Sequence, residues 1–132
     1  MKTLNITIEK TADHYSAYAT NAKGVYGAGE TPEEAKKSIL EAIELLKKYN
    51  TPENIPVVLK GKYSIVFKFD TQSLLNYYKG VFTHASLERI TGINQRRLQH
   101  YATGLRKPSE AQASKIQSGL HNLAQELLAL EL

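Results

Sequence analysis

The residue types in this sequence best suited to chemistry are the arginines and amides between positions 84 and 108. All four arginines of the chain fall in this window: Arg89, Arg96, Arg97 and Arg106. Together with Lys107 they outnumber a single acid, Glu88, so this window alone has the net charge of +4 that the whole chain carries. Arginine forms bidentate hydrogen bonds with guanine edges and phosphates, and glutamine does so with adenine. The window therefore predicts contact with nucleic acid.

The segment from Thr83 to Ser109 has the pattern of a helix, a tight turn and a second helix. Gly92 can adopt the left-handed conformation that ends the first helix, and Asn94 can cap the second. Gly104 ends the second helix, and Pro108 with Ser109 opens another. Apolar residues at helical spacing would form the small core between the two helices: Leu87, Ile90, Ile93, Leu98 and Tyr101. We expect a helix-turn-helix that enters the major groove of DNA.

The same residues resemble the Xre and phage-repressor class of helix-turn-helix, over about Thr83 to Leu120. In this docking geometry the amino-terminal part of the second helix faces the base edges. The base-reading candidates are Gln95, Arg96, Gln99 and His100, and the phosphate-binding candidates are Thr83, His84, Arg97, Arg106 and Lys107. Glu88 departs from the class, which usually has a small residue there. The alternative is a solvated face on an ordinary three-helix core.

The first half of the chain has the pattern of an antiparallel meander followed by a helix. Leu4 to Ile8 and Tyr15 to Ala19 alternate between apolar and polar residues, and a third short strand is expected at Val25 to Ala28. A helix should begin after Thr31, because Pro32 suits the first helical turn and Glu34 completes a capping box. Pro52 cannot continue this helix beyond about Asn50.

The middle of the chain is expected to contain a connection, a strand and the start of a helical region. Val57 to Leu59 could form a short strand, and Tyr63 to Phe69 alternates with its aromatic and apolar residues on one face. Asp70 should cap a helix that extends to Phe82. These elements predict an α+β domain over residues 1–69 and an all-α helix-turn-helix domain over residues 70–132.

The amino-terminal half resembles the HicB antitoxin family over residues 4–70. The resemblance lies in the strand Tyr15-Ser16-Ala17-Tyr18, the glycine-containing turn at Gly24, the motif Gly29-Glu30-Thr31-Pro32-Glu33-Glu34-Ala35 and the later Glu41-Ala42-Ile43. Ala22-Lys23-Gly24-Val25 replaces the family's usual Pro-Gly-Cys. The resemblance implies a partial RNase H-like fold without nuclease activity, which binds a HicA-like toxin, a small basic RNA-cleaving protein. It also implies repression of the protein's own operon.

A surface that neutralises such a toxin must compete with RNA for a basic protein surface, so exposed carboxylates are expected on it. Glu30, Glu33 and Glu34 cluster at the start of the predicted helix and are the toxin-binding candidates. Helix capping already explains why acids occur at these positions, and for each residue singly it is the favoured explanation.

Catalysis is not expected. The chain has no cysteine, and its histidines and carboxylates have no metal-ligand or catalytic spacing, so neither a metal nor a cofactor is predicted. The carboxylates nearest to a nuclease site would be Glu9, Asp13, Glu30 and Asp70, which fall in predicted turns or caps. The chain has neither a signal-peptide pattern nor an apolar run that would span a membrane, and a cytoplasmic location is expected.

The carboxy-terminal helix repeats apolar residues at spacings of four and three, at Ile116, Leu120, Leu123, Leu127 and Leu130. This pattern could be a dimer seam, or it could pack on the helix-turn-helix, with a helix break near Gly119 or Asn122. A homodimer or higher homo-oligomer is expected, because proteins of this class read paired half-sites.

The overall prediction is an antitoxin and autorepressor that binds double-stranded operator DNA. A stand-alone regulator with a small-molecule-sensing first domain, or an active nuclease, are the alternatives.

Overall fold

The computed structural model describes residues 1–132 and has an α+β fold. Its regular elements are β1 (Lys2–Lys10), β2 (Tyr15–Ala19), β3 (Tyr26–Gly29), α1 (Pro32–Tyr49), β4 (Tyr63–Phe69), α2 (Thr71–Tyr77), α3 (His84–Thr91), α4 (Gln95–Thr103) and α5 (Glu110–Leu128). Contacts between Cα atoms divide the chain into two compact units, Met1–Tyr77 and Tyr78–Leu132, so α2 groups with the sheet. No helix is both long and apolar enough to span a bilayer.

The first unit is built on a four-stranded mixed sheet in the order β3-β2-β1-β4. The first three strands form the predicted antiparallel meander, with Ile8 opposite Ala17 and Tyr18 opposite Tyr26. β4 lies parallel to β1, with Ile6 opposite Phe67. The expectation of an α+β arrangement with a meander is confirmed, and the parallel edge strand makes the sheet mixed.

Helix α1 covers one face of this sheet and encloses the core. Its buried side chains Ala35, Ile39 and Ile43 pack against alternate residues of β1 and β2. The buried core of the unit comprises Leu4, Ile6, Ile8, Tyr15, Ala17, Ala22, Val25, Ala35, Ile39, Ile43 and Leu59. Glycines in β3 let the helix approach closely, since a Cβ on Gly27 would lie 2.4 Å from the Ile39 nitrogen. The apolar residues that recur at every second position of the strands and at every fourth position of α1 therefore pack together in one core.

Two expectations for the middle of the chain are wrong. Val57–Leu59 forms a 3-10 turn rather than a strand, after a first such turn at Pro52–Asn54. Pro56 lacks an N–H for a strand ladder, and the Leu59 N–H bonds back to the Pro56 carbonyl at 2.9 Å. Helix α2 begins at the predicted Asp70 cap but ends at Tyr77 instead of Phe82. Residues 78–82 form turns, in which Val81 and Phe82 donate to the Tyr78 carbonyl.

The second unit contains helices α3, α4 and α5, and α3 packs against both of the others. Its buried apolar side chains are Leu87, Ile93, Leu98, Tyr101 and Ile116. Ile90, which the sequence placed in this core, is only half-buried. Thr83, Asn94 and Ser109 each accept a hydrogen bond from a first-turn N–H, so the three helices begin at side-chain caps.

Helix α5 runs without interruption through Gly119 and Asn122, so the helix break considered from the sequence is absent. Gly119 instead allows close packing, because a Cβ there would lie 2.5 Å from the Ile90 carbonyl oxygen. Of the five residues in the apolar repeat, Ile116 is buried and Leu120 and Leu123 are half-buried. Leu127 and Leu130 are 56% and 65% exposed, and Leu130 lies beyond the end of the helix. The repeat is therefore covered only in its first half.

Candidate nucleic-acid interface

The turn between α3 and α4 is held by backbone geometry and by a threonine side chain. Gly92 has φ of 78° and ψ of 4°, and its N–H donates to the Glu88 carbonyl at 2.8 Å. This left-handed conformation is easily adopted only by glycine. The buried Thr91 hydroxyl donates to the Leu87 carbonyl at 2.7 Å and accepts the Ile93 N–H at 3.1 Å. These bonds satisfy the polar groups of the turn and fix the path from one helix to the next.

Glu88 has a structural role that the sequence did not reveal. Its carboxylate accepts the backbone N–H of Gln95 at 2.9 Å, while the Asn94 side chain accepts the Arg97 N–H at 2.8 Å. The amino end of α4 is thus capped twice, once by Asn94, the residue directly before it, and once by Glu88 of α3. A carboxylate also complements the positive end of the helix dipole. Known capping patterns span three residues, so a cap seven residues away gave no sequence signal.

Helix α4 presents a polar face opposite its buried residues. Leu98 and Tyr101 point into the unit and are 0% and 5% exposed. With about 100° between successive residues, Arg96, Gln99, His100 and Thr103 project on the opposite face. Gln95 and Arg97 lie on the two flanks of that face. Of the predicted base-reading residues, Gln95, Arg96 and Gln99 are exposed, and His100 is half-buried.

Most of the predicted phosphate-binding residues lie before or after α4 in the sequence. Thr83 is the exposed cap of α3 and its hydroxyl accepts the Ser86 N–H at 3.0 Å, while His84 begins that helix and is half-buried. Arg106 and Lys107 lie exposed in the loop that follows Gly104. The Arg106 N–H donates to the His100 carbonyl at 3.2 Å, which ties this loop to the last turn of α4.

The arginine charges are not neutralised within the protein. The two ion pairs of the structure join His14 with Asp13 and Lys47 with Glu44, and neither involves an arginine. Arg89, Arg96, Arg97 and Arg106 are all exposed. Because Glu88 is engaged at the start of α4, these guanidinium groups remain available for an external anion.

The predicted toxin-binding acids lie at the amino end of α1 and differ in their surroundings. The Glu34 carboxylate accepts the Glu30 N–H at 2.9 Å, and the Thr31 hydroxyl accepts the Glu34 N–H at 3.1 Å. Glu34 is therefore a capping residue, as the capping explanation held. Glu33 instead borders an open groove of about 630 Å³, lined by Glu33, Lys36, Lys37, Leu40, Glu41, Glu44, Leu45 and Tyr77.

Of the carboxylates considered for a nuclease site, Asp70 and Asp13 are hydrogen-bonded within the chain, and Glu9 lies within β1 rather than in a turn. The two oxygens of Asp70 accept the N–H groups of Lys10 and Ser73, at 3.0 and 2.8 Å. Asp13 contacts His14 at 2.7 Å, and this hydrogen bond lowers the pKa of its carboxyl group. No group of three or more histidine, aspartate or glutamate side chains lies close enough together to hold a metal ion.

Comparisons of the chain with family models, with curated proteins and with solved structures find no match. The function must therefore be inferred from the residues and contacts of this chain. Two features stand out among them: the doubly capped α4 with its free arginines, and the groove beside Glu33 on α1.

Proposed function

We propose that the protein is an antitoxin that represses transcription, with residues 78–132 binding double-stranded operator DNA and the first unit binding a HicA-like ribonuclease toxin. The observation that carries the DNA-binding part is the exposed face of α4, where Arg96 and Gln99 project from a helix capped at both Asn94 and Glu88. Such a face can donate to base edges in the major groove, and the rigid turn sets its angle to α3.

The cations around α4 support two separate roles in this proposal. Arg96, at the centre of the exposed face, would read bases. Lys107 and Arg106, in the loop after the helix, would bind phosphates and so set affinity without reading sequence. These roles predict different responses to sequence and to salt.

The test measures binding of the full chain to a duplex from the region upstream of its own reading frame and to a scrambled duplex of equal composition. Arg96→Ala should weaken specific binding by about 1 to 3 kcal/mol and reduce the preference for the specific duplex. Lys107→Ala should weaken binding to both duplexes alike and lower the salt slope by about 1. Lys115→Ala, which removes an exposed cation of α5, is the matched control. If Arg96→Ala affects both duplexes equally, the assignment of base reading is wrong.

The antitoxin part is supported by the resemblance of residues 4–70 to HicB antitoxins and by the exposed Glu33 beside an open groove. We also propose a partial RNase H-like fold for this unit, and its antiparallel meander followed by a helix supports that proposal. An exposed carboxylate next to apolar surface suits a partner whose own surface is basic because it binds RNA. Glu30 and Glu34 add two further carboxylates at the same end of α1, and Glu34 also caps the helix.

The antitoxin proposal requires a small basic protein encoded beside this frame, and co-expression with that protein tests it. The full chain should relieve growth arrest by that protein, and Glu33→Lys should reduce the relief. Glu53→Lys reverses an exposed charge in the 3-10 turn at Pro52–Asn54 and should leave the relief unchanged. Continued growth arrest with the unaltered chain would rule out this antitoxin function.

A stand-alone regulator that senses a small molecule is the second candidate, and the groove on α1 favours it. Its apolar residues Leu40, Leu45 and Tyr77 could contact an apolar ligand, with Lys36 or Lys37 binding a carboxylate on it. Thermal shift of the full chain against small carboxylic acids tests this function. A stabilising ligand whose effect is lost in Leu40→Arg would support it, and no shift with any of these acids would count against it.

A further inference from the structure

Strand β4 forms one edge of the sheet and leaves half of its backbone polar groups unpaired. The Asp70 N–H, directly after β4, donates to the Ile8 carbonyl of β1 at 3.2 Å. This bond shows that the even-numbered residues of β4 direct their backbone N–H and C=O groups toward β1. In a parallel ladder alternate residues point toward the same neighbour, so Ser64, Val66 and Lys68 bond to β1. The N–H and C=O groups of the odd-numbered residues 63–69 therefore point away from the sheet, and they have no hydrogen-bond partner in the structure. An open edge of this length is a template for another strand.

The sequence of β4 is chemically symmetric about its central residue. Val66 lies in the middle, with Ile65 and Phe67 on either side of it. Beyond these come the polar Ser64 and Lys68, and the two ends are the aromatic Tyr63 and Phe69. A strand with this pattern can pair with a reversed copy of itself and match residue types at every position.

We propose that two copies of the chain pair through β4 in an antiparallel arrangement centred on Val66. This inference goes beyond the proposed function, since it holds whether or not the chain binds DNA or a toxin. In this register Ile65 pairs with Phe67 of the second copy, and Tyr63 with Phe69. These are the residues with outward polar groups, so they form about eight hydrogen bonds between the chains. Val66, which is 53% exposed, meets Val66 of the second copy across the axis.

The charges on and beside β4 favour this register. With Val66 at the axis, Lys68 lies opposite Ser64 of the second copy. If the axis moves to Ile65, Lys68 lies opposite Lys62 of the second copy, and like charges directly opposite each other are destabilising. If the axis moves to Phe67, Tyr63 loses its partner and Lys68 lies opposite Val66. The central register alone pairs all four outward residues and keeps the lysines apart.

Cross-linking through a single introduced cysteine tests the proposed pairing directly, because the natural chain contains none. Opposite residues in a non-hydrogen-bonded antiparallel pair have Cα atoms about 4.5 Å apart, within the range of a disulfide. Val66→Cys in the full chain should therefore form a covalent dimer under mild oxidation. Val57→Cys, at a residue outside β4 that is 73% exposed, is the matched control.

A mixed experiment tests the register. Ser64→Cys chains mixed with Lys68→Cys chains should cross-link to each other, whereas neither should cross-link efficiently alone. Val66→Lys should lower the self-association constant of the unoxidised protein about tenfold, measured by sedimentation, since it places two lysines opposite each other. Circular dichroism checks that this exposed substitution preserves the fold.

The proposal is overturned if Val66→Cys cross-links no faster than Val57→Cys, whatever oligomer the chain forms through other surfaces. It is also overturned if Ser64→Cys chains cross-link as well with themselves as with Lys68→Cys chains, because that outcome requires a different register.

Discussion

Replacing Gly119 with alanine should destabilise the second unit, although helix propensity alone predicts the opposite. In the interior of a helix such as α5, alanine is favoured over glycine by about 1 kcal/mol. A Cβ at this position, however, would lie 2.5 Å from the Ile90 carbonyl oxygen and 3.2 Å from the Thr91 Cα atom. Both are backbone atoms of α3, so rotation of a side chain cannot relieve the contact. The two helices must move apart, and such overpacking costs about 1 to 3 kcal/mol.

Subtracting the gain of about 1 kcal/mol in helix propensity from the cost of the contact leaves a net loss in the free energy of unfolding. We expect this loss to be about 1 kcal/mol, and at most about 2 kcal/mol. In a unit of this size each kcal/mol lowers the melting temperature by about 4 to 8 °C. Thermal denaturation of the full chain followed by circular dichroism measures the change. Gly80→Ala is the control, because a Cβ there meets no atom within 4 Å. If Gly119→Ala melts at or above the temperature of the unaltered chain, α3 and α5 do not pack as closely as described.

Two further predictions concern a cap and a buried phenol. Glu88→Ala should lower the free energy of unfolding of the second unit by about 0.5 to 2 kcal/mol, and Glu88→Gln by less, because its amide oxygen can still accept the Gln95 N–H. If urea unfolding gives the same loss of stability for Glu88→Ala and Glu88→Gln, the hydrogen bond to Gln95 is not the cause of that loss. Burial, and then the nearby carboxylate of Asp70, raises the pKa of Tyr15 above 10.0. Its contribution to stability is therefore complete below pH 10.0 and is lost as pH rises through the raised pKa. Tyr15→Phe should lessen this alkaline loss, and an unchanged pH dependence would contradict the assignment.

Local sequence patterns were sufficient to predict most helices and strands of this protein. Thr31, Asp70 and Asn94 cap the helices they were expected to cap, and Ser109, expected only to open the last helix, caps it. Gly92 and Gly104, the residues expected to end α3 and α4, both have positive φ. These features depend on a few neighbouring residues, because a cap or a left-handed turn is completed within one helical turn.

Features that depend on distant residues were not predictable in the same way. The alternation in β4 correctly placed its aromatic residues on one face, but they are only half-buried because β4 pairs with β1 at an edge of the sheet. Gly119 suggested a helix break, and only its contact with α3 shows why glycine is needed there. In the candidate interface, exposure of Gln95, Arg96 and Gln99 followed from helical spacing. The bond between Glu88 and Gln95 did not, because it joins two helices.

The contact between Glu88 and Gln95 has a consequence for how sequence preference could change. Glu88 binds the main-chain N–H of residue 95 and not its side chain. Any residue except proline can therefore occupy this position without loss of that bond. If residue 95 reads a base, as the sequence pattern predicts, the protein could acquire a different operator by a single substitution that leaves its folding nearly unchanged. Fold and recognition are then separable at this position, and they can be altered independently by evolution or by design.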